Sequence, residues 1–211
     1  ERTKMGETIH CVGADLPAII AREFAKWVDS ECWEGTDDVE AAYRRVLNSR
    51  PQYTVVALMD PDSGRVRYFP MPGFPFGLKS AVVAFNRVEE LLIEIARILV
   101  LVPCGHYYDD AVTVEPRFAG RSGQRAIWMV HSVAGIPFAV KKHEKTRGAN
   151  PFLGIVSDFA CRPGFVEMRV KESRRTKLLA FMDVVLDRGE LTGAQAASLR
   201  GKLYFTSLTA F

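Results

Sequence analysis

The 211-residue chain is predicted to adopt an α+β fold, and three observations predict it. Hydrophobic residues make up 48% and charged residues 25%, a globular balance that excludes wholesale disorder, collagen-like repeats and a coiled coil. The length is enough for one substantial domain, or one domain with a small appendage, and for a core to hold it together. Helix-spaced segments alternate with short β-rich runs joined by turn clusters, so hairpins outnumber β-α-β units.

The elements follow in chain order. Residues 16–29 carry Ile19, Ile20, Phe24, Trp27 and Val28 at helical spacing, with Pro17 in the first turn, and predict an amphipathic helix. Residues 33–37 predict a turn or loop, and 38–47 a strand end followed by a helical turn. Gln52–Met59 and Arg65–Phe69 are β-rich runs around Asp60-Pro61-Asp62-Ser63-Gly64, which makes a hairpin. Met71–Gly77 holds two prolines and two glycines in seven residues and is a shaped loop. Residues 78–102 predict a long helix, apolar on most faces and largely buried. Short strands at 103–108 and 111–114 flank Asp109-Asp110. A helix is expected over 120–133, and strands over 136–141, 152–157 and 165–170. Two helices, 171–187 and 192–208, meet near Gly189, with Thr192 suited to the N-cap.

Four cysteines, Cys11, Cys32, Cys104 and Cys161, are widely separated, which supports neither a zinc site nor a disulfide scaffold and reads as free thiols in a reducing compartment. No signal peptide is visible at Glu1–Lys4. The most apolar run, Leu91–Pro103, is interrupted by Glu94 and Arg97 and does not span a bilayer. A soluble intracellular protein, cytoplasmic or nuclear, is expected, and one that is a piece of something longer. The net charge is only +3, yet residues 1–115 hold 12 basic and 18 acidic side chains and residues 116–211 hold 16 and 7. Such an asymmetry asks for an explanation.

The chemistry concentrates in Tyr107-Tyr108-Asp109-Asp110. Adjacent carboxylates at a tight turn repel, and a hard divalent cation turns that repulsion into binding; a solvated Asp-Asp turn is the simpler alternative. A metal site for phosphoryl transfer needs another carboxylate. Asp37-Asp38, followed by Tyr43, offers one, or else caps a short helix. Phe74-Pro75-Phe76-Gly77-Leu78-Lys79-Ser80-Ala81 leads into a helix whose N-terminus would favour phosphate; otherwise it is an ordinary loop entering a core helix.

In order along the chain, D-x-x-x-A-Y, a hairpin, P-F-G-L-x-S-A, a long helix and Y-x-D-D resemble the palm of reverse transcriptases, in particular those of LTR-type and tyrosine-recombinase-type eukaryotic retrotransposons. Gly135–Phe138 leading to Lys141-Lys142, Phe152-Leu153-Gly154, and Leu191–Leu203 continue the likeness, which covers roughly residues 30–211. It implies an antiparallel palm sheet backed by helices, truncated fingers, and a C-terminal helical thumb or connection segment. The divisions are 1–35 as partial fingers, 36–170 as palm with a fingers hairpin inserted at about 50–72, and 171–211 as the helical segment.

The resemblance also implies roles. Asp38, preferred to Asp37 because Tyr43 stands five residues beyond it, would join Asp109 and Asp110 in holding two Mg²⁺ ions about 3.5–4 Å apart, with Mn²⁺ a possible substitute. Tyr43 would be the steric gate against a ribose 2′-hydroxyl. Phe76, Gly77, Leu78 and Tyr108 would shape the nucleotide and primer end of the site. Lys141 or Lys142 would neutralise or protonate the departing pyrophosphate. Phe152, Leu153 and Gly154 would grip the primer, and Arg174, Arg175 and Lys177 would contact phosphates. The expected partners are an RNA or DNA template with its primer and deoxynucleoside triphosphates, within a larger polyprotein. On this resemblance the fingers would be truncated and acidic, and Tyr108 is bulkier than the residue common at that place. A catalytically inactive or domesticated nucleic-acid-binding module is therefore the second reading. An unrelated carboxylate nuclease is the third, and it leaves the P-F-G-L segment and Tyr43 unexplained. On either of the first two, the acidic half carries the metal-binding carboxylates and the basic half the nucleic-acid contacts.

Overall fold

The computed structural model describes residues 9–160 and 165–209. Cys161 and the Glu1–Lys4 segment lie outside them. The elements run α1 (Leu16–Phe24), β1 (Cys32–Asp38), α2 (Ala42–Arg45), β2 (Val55–Met59), β3 (Val66–Pro70), α3 (Lys79–Ile98), β4 (Cys104–Tyr107), β5 (Asp110–Pro116), α4 (Ser122–Val133), β6 (Glu144–Arg147), β7 (Ala149–Phe152), β8 (Ile155–Asp158), β9 (Glu167–Val170), α5 (Glu172–Arg188) and α6 (Gly193–Thr209). The strands form a four-stranded sheet in the order β4-β5-β1-β6, the β2-β3 ribbon, and a three-stranded sheet β7-β8-β9. The α+β expectation holds. No helix among the described residues is long and apolar enough to cross a membrane.

The chain divides into two compact units. The first takes the described residues up to Cys11, Asp37–Ala111 and Arg125–His143. Its core is built from Phe85, Ile93 and Ala96 of α3, Ile127 of α4, and Val39 and Phe138. α3 buries one face and leaves Leu91 and Ile98 exposed, so the long helix is amphipathic rather than apolar all round. It also ends at Ile98, four residues earlier than expected. The Arg97 guanidinium donates to the Cys104 carbonyl at 2.8 Å and ties α3 to β4.

The second unit takes the described residues of Val12–Thr36, Val112–Gln124 and Glu144–Phe211, with Ala21, Cys32, Val114 and Phe159 at its core. The expected loop at 33–37 is instead part of β1. Polar residues hid it: Glu34 and Asp37 are both buried. Pairing with β6 shifts register between Glu34 and Thr36, a bulge that breaks the alternation by which a strand is recognised. A side chain at Gly35 would put its Cβ 2.6 Å from the Gln124 amide nitrogen and 2.7 Å from a Thr146 methyl, so only glycine admits them. Gln124 replaces the lost ladder bonds, donating to the Glu144 carbonyl at 2.9 Å and accepting from the Thr146 amide at 3.0 Å.

Three further expectations need correction. α1 stops at Phe24 rather than running to 29. Residues 136–141 do not form a strand: Phe138 makes one bridge to Val39, and Val140–Lys142 closes into a tight helical turn. The strand expected at 152–157 is a hairpin, with Phe152 opposite Ile155 and Leu153 and Gly154 both at positive φ in the turn, as a two-residue hairpin loop demands. At the C-terminal helices, Thr192 and Gln195 exchange side-chain and backbone hydrogen bonds at 3.0 and 3.2 Å, a capping box that starts α6, while Gly189 caps α5 at φ 70°.

Candidate active site

β1 delivers two aspartates in succession, and alternation sends them opposite ways. Asp37 is buried and accepts from the Trp128 indole at 2.8 Å and from His143 Nδ1 at 2.6 Å. Asp38 is mostly covered and faces Asp109, Asp110 and Lys142. Tyr108 and Asp109 form the turn between β4 and β5, and Asp110 opens β5. The Asp109 carbonyl accepts from the Val39 amide at 2.8 Å, which fastens the turn to the end of β1.

The electrostatics match three carboxylates crowded together. Burial raises the Asp109 carboxyl above its usual range, and Asp38 adds to the rise. Asp110 is pushed up to about 6 by burial, then by Asp109 and Asp38. Lys142, rather than Lys141, answers this charge: its ammonium lies 2.6 Å from Asp38 Oδ2, and that bond raises its own proton affinity. Lys141 is exposed. The lysine is aimed by its turn, where the Ala139 amide donates to the Asp38 carbonyl at 2.8 Å and His143 holds Asp37.

Tyr43 follows on α2 and is half-buried. Its ring meets Phe76 edge-on at 5.2 Å and Phe85 at 5.6 Å, and burial with Asp109 and Tyr108 nearby raises its phenol. Phe76 is otherwise exposed, with the Arg44 guanidinium 5.9 Å over its ring. The loop can dock here because Gly73 lies against the Arg44 carbonyl, where any Cβ would collide; the Phe74 amide donates to the Tyr43 carbonyl at 3.2 Å. Gly77, at φ 93°, and exposed Leu78 then enter α3, whose first turn carries no acidic residue.

Asp38, Asp109, Asp110, Tyr43, Phe76 and Tyr108 are thus gathered in the first unit. Phe152, Leu153, Gly154, Arg174, Arg175 and Lys177 belong to the second. There Phe152 is core, Leu153 and Gly154 are the hairpin turn, and Arg174 donates to the Leu153 carbonyl at 3.1 Å. Arg175 lies 3.4 Å from Glu172, and Lys177 is exposed. Sequence reasoning preferred Asp38 to Asp37, left Lys141 against Lys142 open, and missed Trp128 and His143. The spacing from Asp38 to Tyr43 was the signal for the first choice.

Among the described residues no three His, Cys, Asp or Glu side chains group into a ready-made ion cage. The donor chemistry still fits magnesium, which keeps several waters and is commonly held by one or two carboxylates and substrate phosphates.

No family model matches the chain, and no curated protein matches it. Solved structures do. A foamy viral protease-reverse transcriptase dRH in complex with double-stranded DNA superposes with TM-score 0.63 at 12% identity, over 95% of this chain and 30% of that one. The foamy viral protease-reverse transcriptase with double-stranded DNA gives 0.59 at 13%, over 82% and 32%. The same enzyme with an RNA/DNA hybrid gives 0.53 at 14%, over 70% and 18%. The chain spans a third or less of the length of these proteins. At such identities the likeness speaks for backbone architecture alone, and on that ground the chain has a reverse-transcriptase-like fold.

Proposed function

We propose that this chain is the palm of an RNA-directed DNA polymerase from a retrotransposon-type element, transferring a nucleotide from a deoxynucleoside triphosphate to a primer 3′-hydroxyl. The observation that carries the reading is the gathering of Asp38, Asp109 and Asp110, with Asp109 raised by burial and Asp38, and Asp110 by burial, Asp109 and Asp38, beside the Lys142 ammonium. The new bond joins the 3′-oxygen to the α-phosphorus, the α–β phosphoanhydride bond breaks, and pyrophosphate leaves.

Asp38, Asp109 and Asp110 would hold Mg²⁺, or Mn²⁺ in its place, and the bound metal supplies charge neutralisation and a more acidic 3′-hydroxyl. The chain's own groups position the reactants, which is most of what phosphoryl transfer asks of a protein. Tyr43, stiffened by Phe76 and Phe85, would lie under the incoming sugar and exclude a 2′-hydroxyl. Phe76, Gly77, Leu78 and Tyr108 would border the nucleotide. The positive end of α3, free of acidic side chains in its first turn, would favour phosphate. Of the alternatives Lys141 and Lys142, Lys142 would take the role, neutralising Asp38 and then the leaving pyrophosphate. Leu153 and Gly154, in the hairpin turn that Phe152 anchors in the core, would steady the primer. Arg175 and Lys177 suit phosphate contacts better than Arg174, which is engaged on Leu153.

Primer extension on RNA and DNA templates by the full-length protein tests the reading. Incorporation should require Mg²⁺ or Mn²⁺ and should vanish in Asp109→Asn; unchanged extension in that variant would sink the assignment. The absence of a closed ion cage among the described residues favours a second reading, a nucleic-acid-binding module without catalysis. Metal-independent RNA binding with no incorporation by the full-length protein would select it.

A further inference from the structure

We propose that Glu90, His106 and the Tyr108 carbonyl form a latch that sets the orientation of the Asp109-Asp110 turn, making His106 a positioning residue; the inference rests on the polymerase reading of those carboxylates. His106 lies on β4 with 2% of its surface exposed. Its Nδ1 stands 3.2 Å from the Tyr108 carbonyl oxygen and its Nε2 stands 2.7 Å from Glu90 Oε2 on α3. The Tyr108 carbonyl can only accept, so Nδ1–H donates to it, and Nε2 is left to pair with the Glu90 carboxyl.

The turn needs holding. Tyr108 has φ 54°, a left-handed conformation that a bulky residue adopts only where its surroundings impose it. Its carbonyl is fixed by His106, and the next carbonyl, that of Asp109, is fixed by the Val39 amide at 2.8 Å. The two successive peptide planes of the turn are therefore pinned by different partners, and the directions of the Asp109 and Asp110 side chains follow from those planes. Glu90 orients the ring from behind, in the manner of a carboxylate behind a metal-bound histidine. α3 and β4 are kept in register for this by the Arg97–Cys104 bond.

The test compares His106→Asn, His106→Gln, His106→Phe and Glu90→Ala in the full-length protein. An Asn amide places a donor near the position of Nδ1 and a Gln amide near that of Nε2, so Asn keeps the bond to Tyr108 and Gln keeps only the one to Glu90. His106→Asn should retain nucleotide incorporation within about threefold, while His106→Phe and His106→Gln lose about 10–100-fold in kcat with the nucleotide KM little changed. Glu90→Ala, at a half-exposed position, should fall between them and guards against a misfolded core variant. A second readout needs no activity: the Val39 amide reports the turn directly, and its hydrogen exchange should quicken about tenfold in the Phe and Gln variants and not in Asn. Equal incorporation and equal Val39 exchange in all the variants would overturn the latch. Should the wild-type protein incorporate no nucleotide, the polymerase reading fails, and Val39 exchange still decides whether the latch exists.

Discussion

Glu34 has no exposed surface, and neither of its carboxylate oxygens has a hydrogen-bond partner of good geometry, although the Ser157 hydroxyl lies beside it. Burial pushes its carboxyl up to about 8, because an ion there would face no water and no compensating charge. In the unfolded chain the proton leaves near the ordinary value of 4.5; in the folded chain it stays to about 8. The folded state binds more protons between those limits, so stability falls as pH rises through the window, by roughly 3 kcal/mol at pH 7. Glu34→Gln removes the titration and keeps the shape. Its thermal midpoint should lie above that of the parent at pH 8, with the gap closing toward pH 4.5. A parent midpoint that does not fall from pH 5 to 8 would refute the neutral buried carboxyl. At this scale the sequence carried a signal where a rule of spacing applied: Tyr43 favoured Asp38 over Asp37, and in the structure Asp38 meets Lys142 while Asp37 is held by Trp128 and His143. It was silent where a choice depends on the end of a distant segment, as for Lys142 over Lys141, or on burial alone, as for Glu34.

Elements tell a similar story. The β2-β3 hairpin, α3, the β4-β5 hairpin and the two C-terminal helices carry their own local signals, namely turn residues, helical spacing and a capping box, and they stand close to where those signals put them. β1 and the segment 136–142 do not. β1 is recognisable only through partners that fill the space above Gly35, and Val140–Lys142 is bent by the bridges that Phe138 and Ala139 make to the end of β1. Tertiary contacts override propensity in both. The Pro/Gly loop before α3 joins the two cases: its irregularity is plain from sequence, while its docking on α2 is not. Gly73→Ala should therefore cost about 1–3 kcal/mol, since the added methyl collides with the Arg44 carbonyl and the backbone must move. Chemical denaturation measures it. A variant as stable as the parent would mean that the loop does not pack on α2 as described.

For the molecule as a whole, the near-neutral charge of +3 averages an acidic first half, which contains every carboxylate of the candidate site, with a basic second half that contains Arg175 and Lys177. The architecture agrees with solved reverse transcriptases at identities of 12–14%; similarity that low transmits the backbone, so the chemistry has to be argued from the side chains of this chain. The central claim is that Asp38, Asp109 and Asp110 act together on a divalent cation. Paramagnetic broadening by Mn²⁺ tests it on the chain itself, without template or activity. Added Mn²⁺ should broaden the backbone amide signals around Asp38, Asp109 and Asp110 first, and Asp109→Asn and Asp110→Asn should abolish that selectivity. Broadening centred elsewhere, or unchanged in both variants, would contradict the account.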